Sequence, residues 1–253
     1  MIFTEERHKE IKKLINEKNR VFVNDLCGLF ETSAVTIRRD LQVLEEQGAL
    51  KRVHGGAISH KSLFTGLALS EKEKIKTQEK ERIAKYAAGL VERGDVIIID
   101  SGSTTLQFAR NLKNLTEITV ITNALYVASE LSKSDIKIIL TGGEMDPDSL
   151  TLVGPLADEI LQKISADKLF MGIDAVDLTS GLTTPSIIEA RTTNMMMQAS
   201  GEKILLVDSS KFNRRSLAVV SKINLVDKII TDDKLDKEEI KKFESAGVEV
   251  IVV

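Results

Sequence analysis

Two short stretches carry side chains whose types and spacing could do chemistry. Asp100-Ser101-Gly102-Ser103-Thr104-Thr105 follows the apolar run Asp95 to Ile99 and leads straight into a helical pattern. A hydroxyl-rich, glycine-containing turn at a helix start presents backbone N–H groups, hydroxyls and the positive end of the helix dipole, a set suited to phosphate. The same residues would also serve as a plain serine–threonine cap. The second stretch is Thr32 to Leu41, TSAVTIRRDL. Here Ser33 can cap a first turn, Val35, Ile37 and Leu41 are apolar packing positions, and Ser33, Thr36, Arg38 and Arg39 give polar reach. That describes a helix able to read DNA; the competing reading is a solvated amphipathic helix in which the arginines belong with Asp40, Glu45 and Glu46.

Further polar residues recur where apolar runs end: Thr122-Asn123, Thr141-Gly142-Gly143, Gly172-Ile173-Asp174 and Asp208-Ser209-Ser210-Lys211-Phe212. Gly142 and Gly143 would let backbone approach a ligand closely, Asp174 could accept protons from sugar hydroxyls, and Lys211 supplies a cation for phosphate. Each has a plain alternative: turn glycines, a capping Asp, a surface Lys. Glu189 is balanced evenly between function and structure.

The elements that must position these residues fall into two groups. Thr4 can cap a helix with Ile11, Leu14 and Ile15 on one face, and Asn24 to Phe30 reads as a short helix. Glu31-Thr32 leaves room only for a tight turn before the Arg38 helix, which Gly48 stops. Two helices so joined form a helix-turn-helix. Ala49 to Ala57 reads as a small β wing whose Lys51 and Arg52 could lie along phosphates. From residue 58 to 76 periodicity weakens into a linker that turns helical toward its end, with the alternating Glu and Lys of Ser70 to Lys74 read as a solvated face. Gln78 to Glu92 is helical. Beyond it, apolar runs at 95–99, 118–121, 136–140, 168–171, 203–207, 228–230 and 248–252 alternate with helices at 106–112, 125–131, 156–164, 187–199 and 237–246. Continuous apolar strands separated by helices imply a largely parallel sheet covered on both faces, with ligand outside the strands' carboxyl ends. The expected organisation is therefore α/β: a winged helix-turn-helix over 1–57, a linker over 58–76, and an effector-binding and oligomerisation domain over 77–253.

Composition narrows the function. The net charge of −3 is unevenly spread: residues 1–60 carry +1 and the remainder −4. A barely basic first domain limits non-specific DNA affinity, so specific binding is expected to depend on a homodimer or homotetramer. Aromatic residues make up 4 % with no Trp, which leaves nothing for a single-strand stacking platform. Cys27 lies among Leu26, Leu29 and Phe30 as a small core residue; no disulfide, metal site or cofactor is expected. Met195-Met196-Met197 reads as packing. With no apolar run of membrane length and no signal-like start, the expected location is the cytoplasm.

The segment VTIRRDLQVLEEQGALKRVHGGA closely resembles the winged helix of DeoR-type regulators of bacterial sugar metabolism. DSGSTT, TN, TGGE, GPLA around Gly154, GLTTP from Gly181 and DSSKF are similar to their effector domain. The resemblance implies a DNA operator as partner and a sensor domain like sugar-phosphate isomerases in fold. It further implies a phosphorylated sugar effector that alters operator affinity, by releasing or by recruiting the protein, with relief of repression the commoner behaviour in the family. Carried over, Asp100 and Ser101 to Thr105 would contact effector, with Asn123, Gly142, Gly143, Asp174 and Lys211 around it, and no catalytic residue. Arg191 departs from the uncharged or acidic residue usual there, which would alter ligand identity. The alternative is an isomerase or deaminase with a DNA-binding appendage, for which Asp174 and Glu189 are the available carboxylates; no pattern pairs them and no His lies in that domain. A nucleoid or RNA-binding role fits neither the charge nor the aromatic content.

Overall fold

A computed structural model describes residues 4–18, 20–47, 49–53, 55–58, 69–147 and 149–253. The chain divides into two compact units, Met1–Gly66 and Leu67–Val253. Gly48, His54 and Ser59 to Ser62 lie outside the described residues, as does the Lys51 side chain.

The first unit runs α1 (Thr4–Lys18), β1 (Arg20–Phe22), α2 (Val23–Phe30), α3 (Ala34–Glu46), β2 (Lys51–Val53) and β3 (Gly56–Ile58). Thr4 is already helical. Glu31 closes α2 in the left-handed region at φ 48°, and the Thr32 N–H donates to the Cys27 carbonyl. Ser33 then caps α3, its Oγ accepting from the Thr36 N–H at 3.2 Å. The wing strands pair antiparallel, and β1, unforeseen in the sequence, adds to them in the order β1-β3-β2. Ile11, Ile15, Leu26, Phe30, Ile37, Leu41, Leu44 and Leu50 form the core, with Cys27 packed at its margin. Val35, expected inside, is 74 % exposed.

Asp40, which the sequence places among solvated charges, is instead buried on the inner face of α3. Arg7 grips it with two bonds, Nε to Oδ2 at 2.6 Å and an Nη to Oδ1 at 3.0 Å, and His8 Nε2 stands 2.9 Å from Oδ1. Burial alone would raise the Asp40 carboxyl, but the bonds from Arg7 and His8 outweigh it and hold it below the usual carboxylate range.

In the second unit α4 (Leu69–Glu73) and α5 (Thr77–Ala88) precede β4 (Val96–Ile99), α6 (Ser103–Leu112), β5 (Thr119–Thr122), α7 (Leu125–Leu131) and β6 (Lys137–Leu140). A hairpin, β7 (Glu144–Asp146) and β8 (Thr151–Val153), leads to α8 (Pro155–Leu161) and β9 (Ala166–Met171). After β10 (Ala175–Asp177) and β11 (Gly181–Thr184) come α9 (Ile187–Gln198) and β12 (Ser200–Leu206). The chain ends with β13 (Ala218–Ser221), β14 (Lys228–Thr231), α10 (Lys237–Ser245) and β15 (Glu249–Val252). Seven strands form one parallel sheet in the order β15-β14-β12-β9-β4-β5-β6, corresponding to the seven apolar runs. Its central strands end in continuous buried apolar runs because both faces are covered there, while the starts of β9 and β12 and the edge strands β6 and β15 are partly exposed. Ile97, Ile99, Val120 and Phe170 meet α5, α6 and α7, whereas Ile98, Ile121, Leu169 and Met171 share a core with α8, α9, α10 and the antiparallel sheet β10-β11-β13. Met196 and Met197 are buried in that second core, as expected of packing residues. Strands are added outward from β4 on one side and from β9 on the other, so the β4/β9 boundary is a topological switch point. Among the described residues no helix is long and apolar enough to cross a membrane.

Replacing Asp40 by Ala removes the two bonds from Arg7 and the contact with His8, so the first unit should lose roughly 1.5–3 kcal/mol, measurable by denaturant unfolding. Because the folded Asp40 carboxyl titrates below its unfolded value, the wild-type advantage should be complete above the unfolded pKa and vanish as pH falls through the folded one.

Candidate functional site

On the first unit, the core side of α3 uses Ile37, Asp40, Leu41 and Leu44, which leaves Val35, Arg38, Arg39 and Gln42 exposed on the opposite face. Among the described residues neither Arg38 nor Arg39 has an ion-pair partner, so both guanidinium groups are available to a ligand. Ser33 and Thr36 spend their hydroxyls on each other, 2.9 Å apart, within the cap. Arg52 is tied back to α3: its N–H donates to Glu45 Oε1 at 2.8 Å, and its Nε lies 3.9 Å from Oε2. The wing is thus fastened to the helix it flanks.

On the second unit, an open cleft enclosing about 110 Å³ lies at the carboxyl ends of β4, β9 and β12, at the switch point. After β4 the chain delivers Asp100, Ser101 and Gly102 and enters α6 at Ser103. Gly102 sits at φ 139°, a backbone conformation closed to other residues without strain. Its N–H donates to the Tyr126 hydroxyl at 2.6 Å, fixing the loop, while the N–H groups of Ser103 and Thr104, in the first turn of α6, have no intrahelical acceptor. β9 delivers Gly172, Ile173 and Asp174; β12 delivers Asp208 and then Lys211 in a single 3₁₀ turn, Ser209–Lys211. α9 contributes Glu189 and Thr193, and β11 contributes Thr184.

Two cations that the sequence reading missed also line the cleft. Lys72 of α4 places Nζ 2.6 Å from Asp174 Oδ1. The alternating charges around it are therefore no simple solvated face, and residues 69–76, expected as linker, fold onto the second unit. Lys80 of α5 is only 4 % exposed and donates to the carbonyls of Lys72 and Ile75 at 2.5 and 2.6 Å. Its signal was available: Lys80 shares a helical stripe with Ile83, Ala84 and Ala87, where a lysine must be buried.

The cleft's electrostatics follow from burial set against these pairings. Burial pushes Asp100 up to about 7, although the Ser101 N–H and the Thr193 hydroxyl, at 2.7 and 3.0 Å, pull against it. Burial likewise raises Glu189 and brings Lys80 down to about 8. Lys211 is lowered by burial and by the neighbouring Lys72. Asp174 is pushed up by burial but pulled further down by Lys72 and Lys211, with a net shift below the usual carboxylate range.

Of the sequence-derived site residues, the cleft brings together Asp100, Ser101, Gly102, Ser103, Thr104, Asp174 and Lys211. Thr105, Asn123, Gly142 and Gly143 do not line it. Thr105 is fully buried and donates to the Gly102 carbonyl at 2.9 Å. Asn123 supports the β7–β8 hairpin, its carbonyl accepting from the Leu152 N–H. A Cβ on Gly143 would lie 2.6 Å from the Val153 carbonyl, so that glycine admits the hairpin. Arg191 is likewise absent from the cleft wall; its Nε meets Asp158 Oδ2 at 2.6 Å.

A helix-turn-helix with an open basic face, joined in one chain to an α/β unit with a polar cleft, defines a DNA-binding protein of two units. Residues 7–63 match the DeoR-like helix-turn-helix domain and residues 75–233 the DeoR C terminal sensor domain, and the chain belongs to the DeoR family. It is 36 % identical over 250 residues to the HTH-type transcriptional regulator GolR of Listeria innocua, covering 98 % of each chain. It is 35 % identical over 251 residues to the lactose phosphotransferase system repressor of Staphylococcus epidermidis, covering 97 % of this chain and 98 % of that one. Ribose 5-phosphate isomerase A from Methanocaldococcus jannaschii superposes over 53 % of each chain with TM-score 0.40 and 24 % identity. The chain is a DNA-binding transcriptional regulator and not an enzyme.

The raised Asp100 carboxyl has a stability consequence with a definite sign. The folded state keeps its proton where the unfolded state has lost it, so wild-type stability should fall from about pH 4 to about pH 7 and level off above. Asp100→Asn should lack that slope, and paired melts across the range read the difference directly.

Proposed function

We propose that the protein represses a sugar-utilisation operon by placing α3 in the major groove of its operator, and that a phosphorylated sugar bound in the second unit lowers operator affinity. The carrying observation is the convergence at the β4/β9 boundary. Among the described residues, N–H groups and hydroxyls of Ser103 and Thr104 without a partner share one cleft with Lys211 and Lys80 for a phosphate, while Asp174, Thr184 and Glu189 offer hydrogen-bond partners for a polyol. Because a near-neutral winged helix offers few phosphate contacts, the working form is a homodimer or homotetramer, and operator binding places it in the cytoplasm. The linkage is differential affinity: effector shifts operator binding by as much as it prefers the conformation that DNA disfavours.

Two measurements test this reading. In a thermal-shift screen of phosphosugars against their parent sugars, a phosphorylated ligand at 100 times its Kd should stabilise the protein by about 2.7 kcal/mol. The parent sugar should give little shift, and Lys211→Met should weaken the phosphorylated ligand while sparing operator binding without it. Equal stabilisation by both forms would discard the phosphate. On the DNA side, replacing a base-reading arginine should cost roughly 1–3 kcal/mol and relax sequence preference, whereas losing a phosphate contact weakens all sequences alike. Normal operator binding by a folded Arg38→Ala, Arg39→Ala double variant would remove α3 from the groove.

A further inference from the structure

Helix α4 buries no side chain in the hydrophobic core of its unit. Polar and ionic contacts hold it. Glu73 pairs with Arg110 of α6 at 3.1 Å, Lys72 pairs with Asp174 at 2.6 Å, and Lys80 caps the carbonyls of Lys72 and Ile75. Two of these three attachments use groups that line the cleft. The turn after α4 is also held against local preference, since Lys76 sits in the left-handed region at φ 57°. In sequence, α4 is the first described element after the segment that leads from the DNA-binding unit.

We propose that α4 is an ionic latch that competes with the effector for the same groups. This rests on the reading of the cleft as a phosphosugar site. A polyol hydroxyl that donates to Asp174 takes the acceptor now held by Lys72 Nζ. A phosphate at the start of α6 attracts the Lys80 ammonium, which then leaves the two carbonyls it caps. With both attachments withdrawn, α4 keeps, among the described residues, its rim pair with Arg110, of the kind that contributes little in water, and the half-buried Leu69 at the cleft wall. Release of residues 69–76 frees eight residues ahead of α5 and so lengthens the connection between α5 and the DNA-binding unit, each residue worth about 3.5 Å when extended. A longer tether lowers the effective concentration at which two DNA-binding units in an oligomer meet adjacent half-sites. Occupancy of the cleft is thereby converted into slack in the chain.

Amide hydrogen exchange on the full-length protein tests this, with inorganic phosphate as the probe against chloride at matched ionic strength. Lys72→Met without ligand should speed exchange across residues 72–76 by about tenfold, with α5 and α6 unchanged, because local opening becomes easier there. Phosphate, which draws on Lys80 alone, should slow exchange at 103–106 and speed it at 74–76 in the wild type and across 69–76 in Lys72→Met, where the other attachment is already gone. Slowing at 103–106 with no change or slowing at 69–76 overturns the latch while leaving the anion site in place. No response at either segment removes the phosphate reading, and ligand-driven release falls with it. Unchanged exchange in Lys72→Met shows that the ion pair does not hold α4.

Discussion

The reversal of strand order between β4 and β9 is the constraint on which the second unit depends. A parallel strand ends with its carbonyls and the following loop at one edge of the sheet, and where neighbouring crossovers leave in opposite directions their loops part and leave a crevice. Apart from Val207 and Ile173, which still pack on the core, the residues directly after β4, β9 and β12 have no hydrophobic duty there, because the apolar faces are already covered. They are free to be small, hydroxylic or charged. The same topology aims the start of α6 at the crevice, so the anion-favouring end of a helix and the polar strand ends arrive together without any one residue having to organise the others.

Inside the crevice the charges are nearly matched and poorly hydrated. Lys72, Lys80 and Lys211 face Asp100, Asp174, Glu189 and Asp208, and several of them pay for burial in shifted proton affinity. Buried pairs of this sort contribute little net stability, because desolvation consumes most of the Coulombic gain. Their value lies in responsiveness. A ligand that carries charge and hydroxyls can trade partners with them at small net cost, which a dry apolar core would not allow.

Much of this could be read directly from the residues. The seven sheet strands were visible because doubly covered parallel strands are continuous apolar runs, and α3 was visible because Ser33 caps it and Ile37, Leu41 and Leu44 recur at helical spacing. The short antiparallel strands β10, β11 and β13 were not foreseen. They are three or four residues long, mix polar with apolar positions, and gain their identity from long-range partners such as Thr183 with Val219. Lys72 was hidden for another reason: in a run of alternating charges, only the fold says which member turns inward. Asp40 was misplaced similarly, since its partners Arg7 and His8 lie some thirty residues away on α1. Asn123 and Gly143 show the opposite case, in which residues with ligand-like character support a hairpin.

The division of labour around α3 bears on how such a protein can change its target. Fold and orientation are set by Ile37, Asp40, Leu41, Leu44 and the Arg7 clamp on one side, and by the Glu45 tether to the wing. Val35, Arg38, Arg39 and Gln42 are exposed, and among the described residues the one bond they make is that of Gln42 to Glu46 one turn on in the same helix. Mutations at those four positions are thus nearly free of folding cost, so descent or design can redirect the protein to a new promoter by rewriting one helical face while its metabolite sensor is inherited intact.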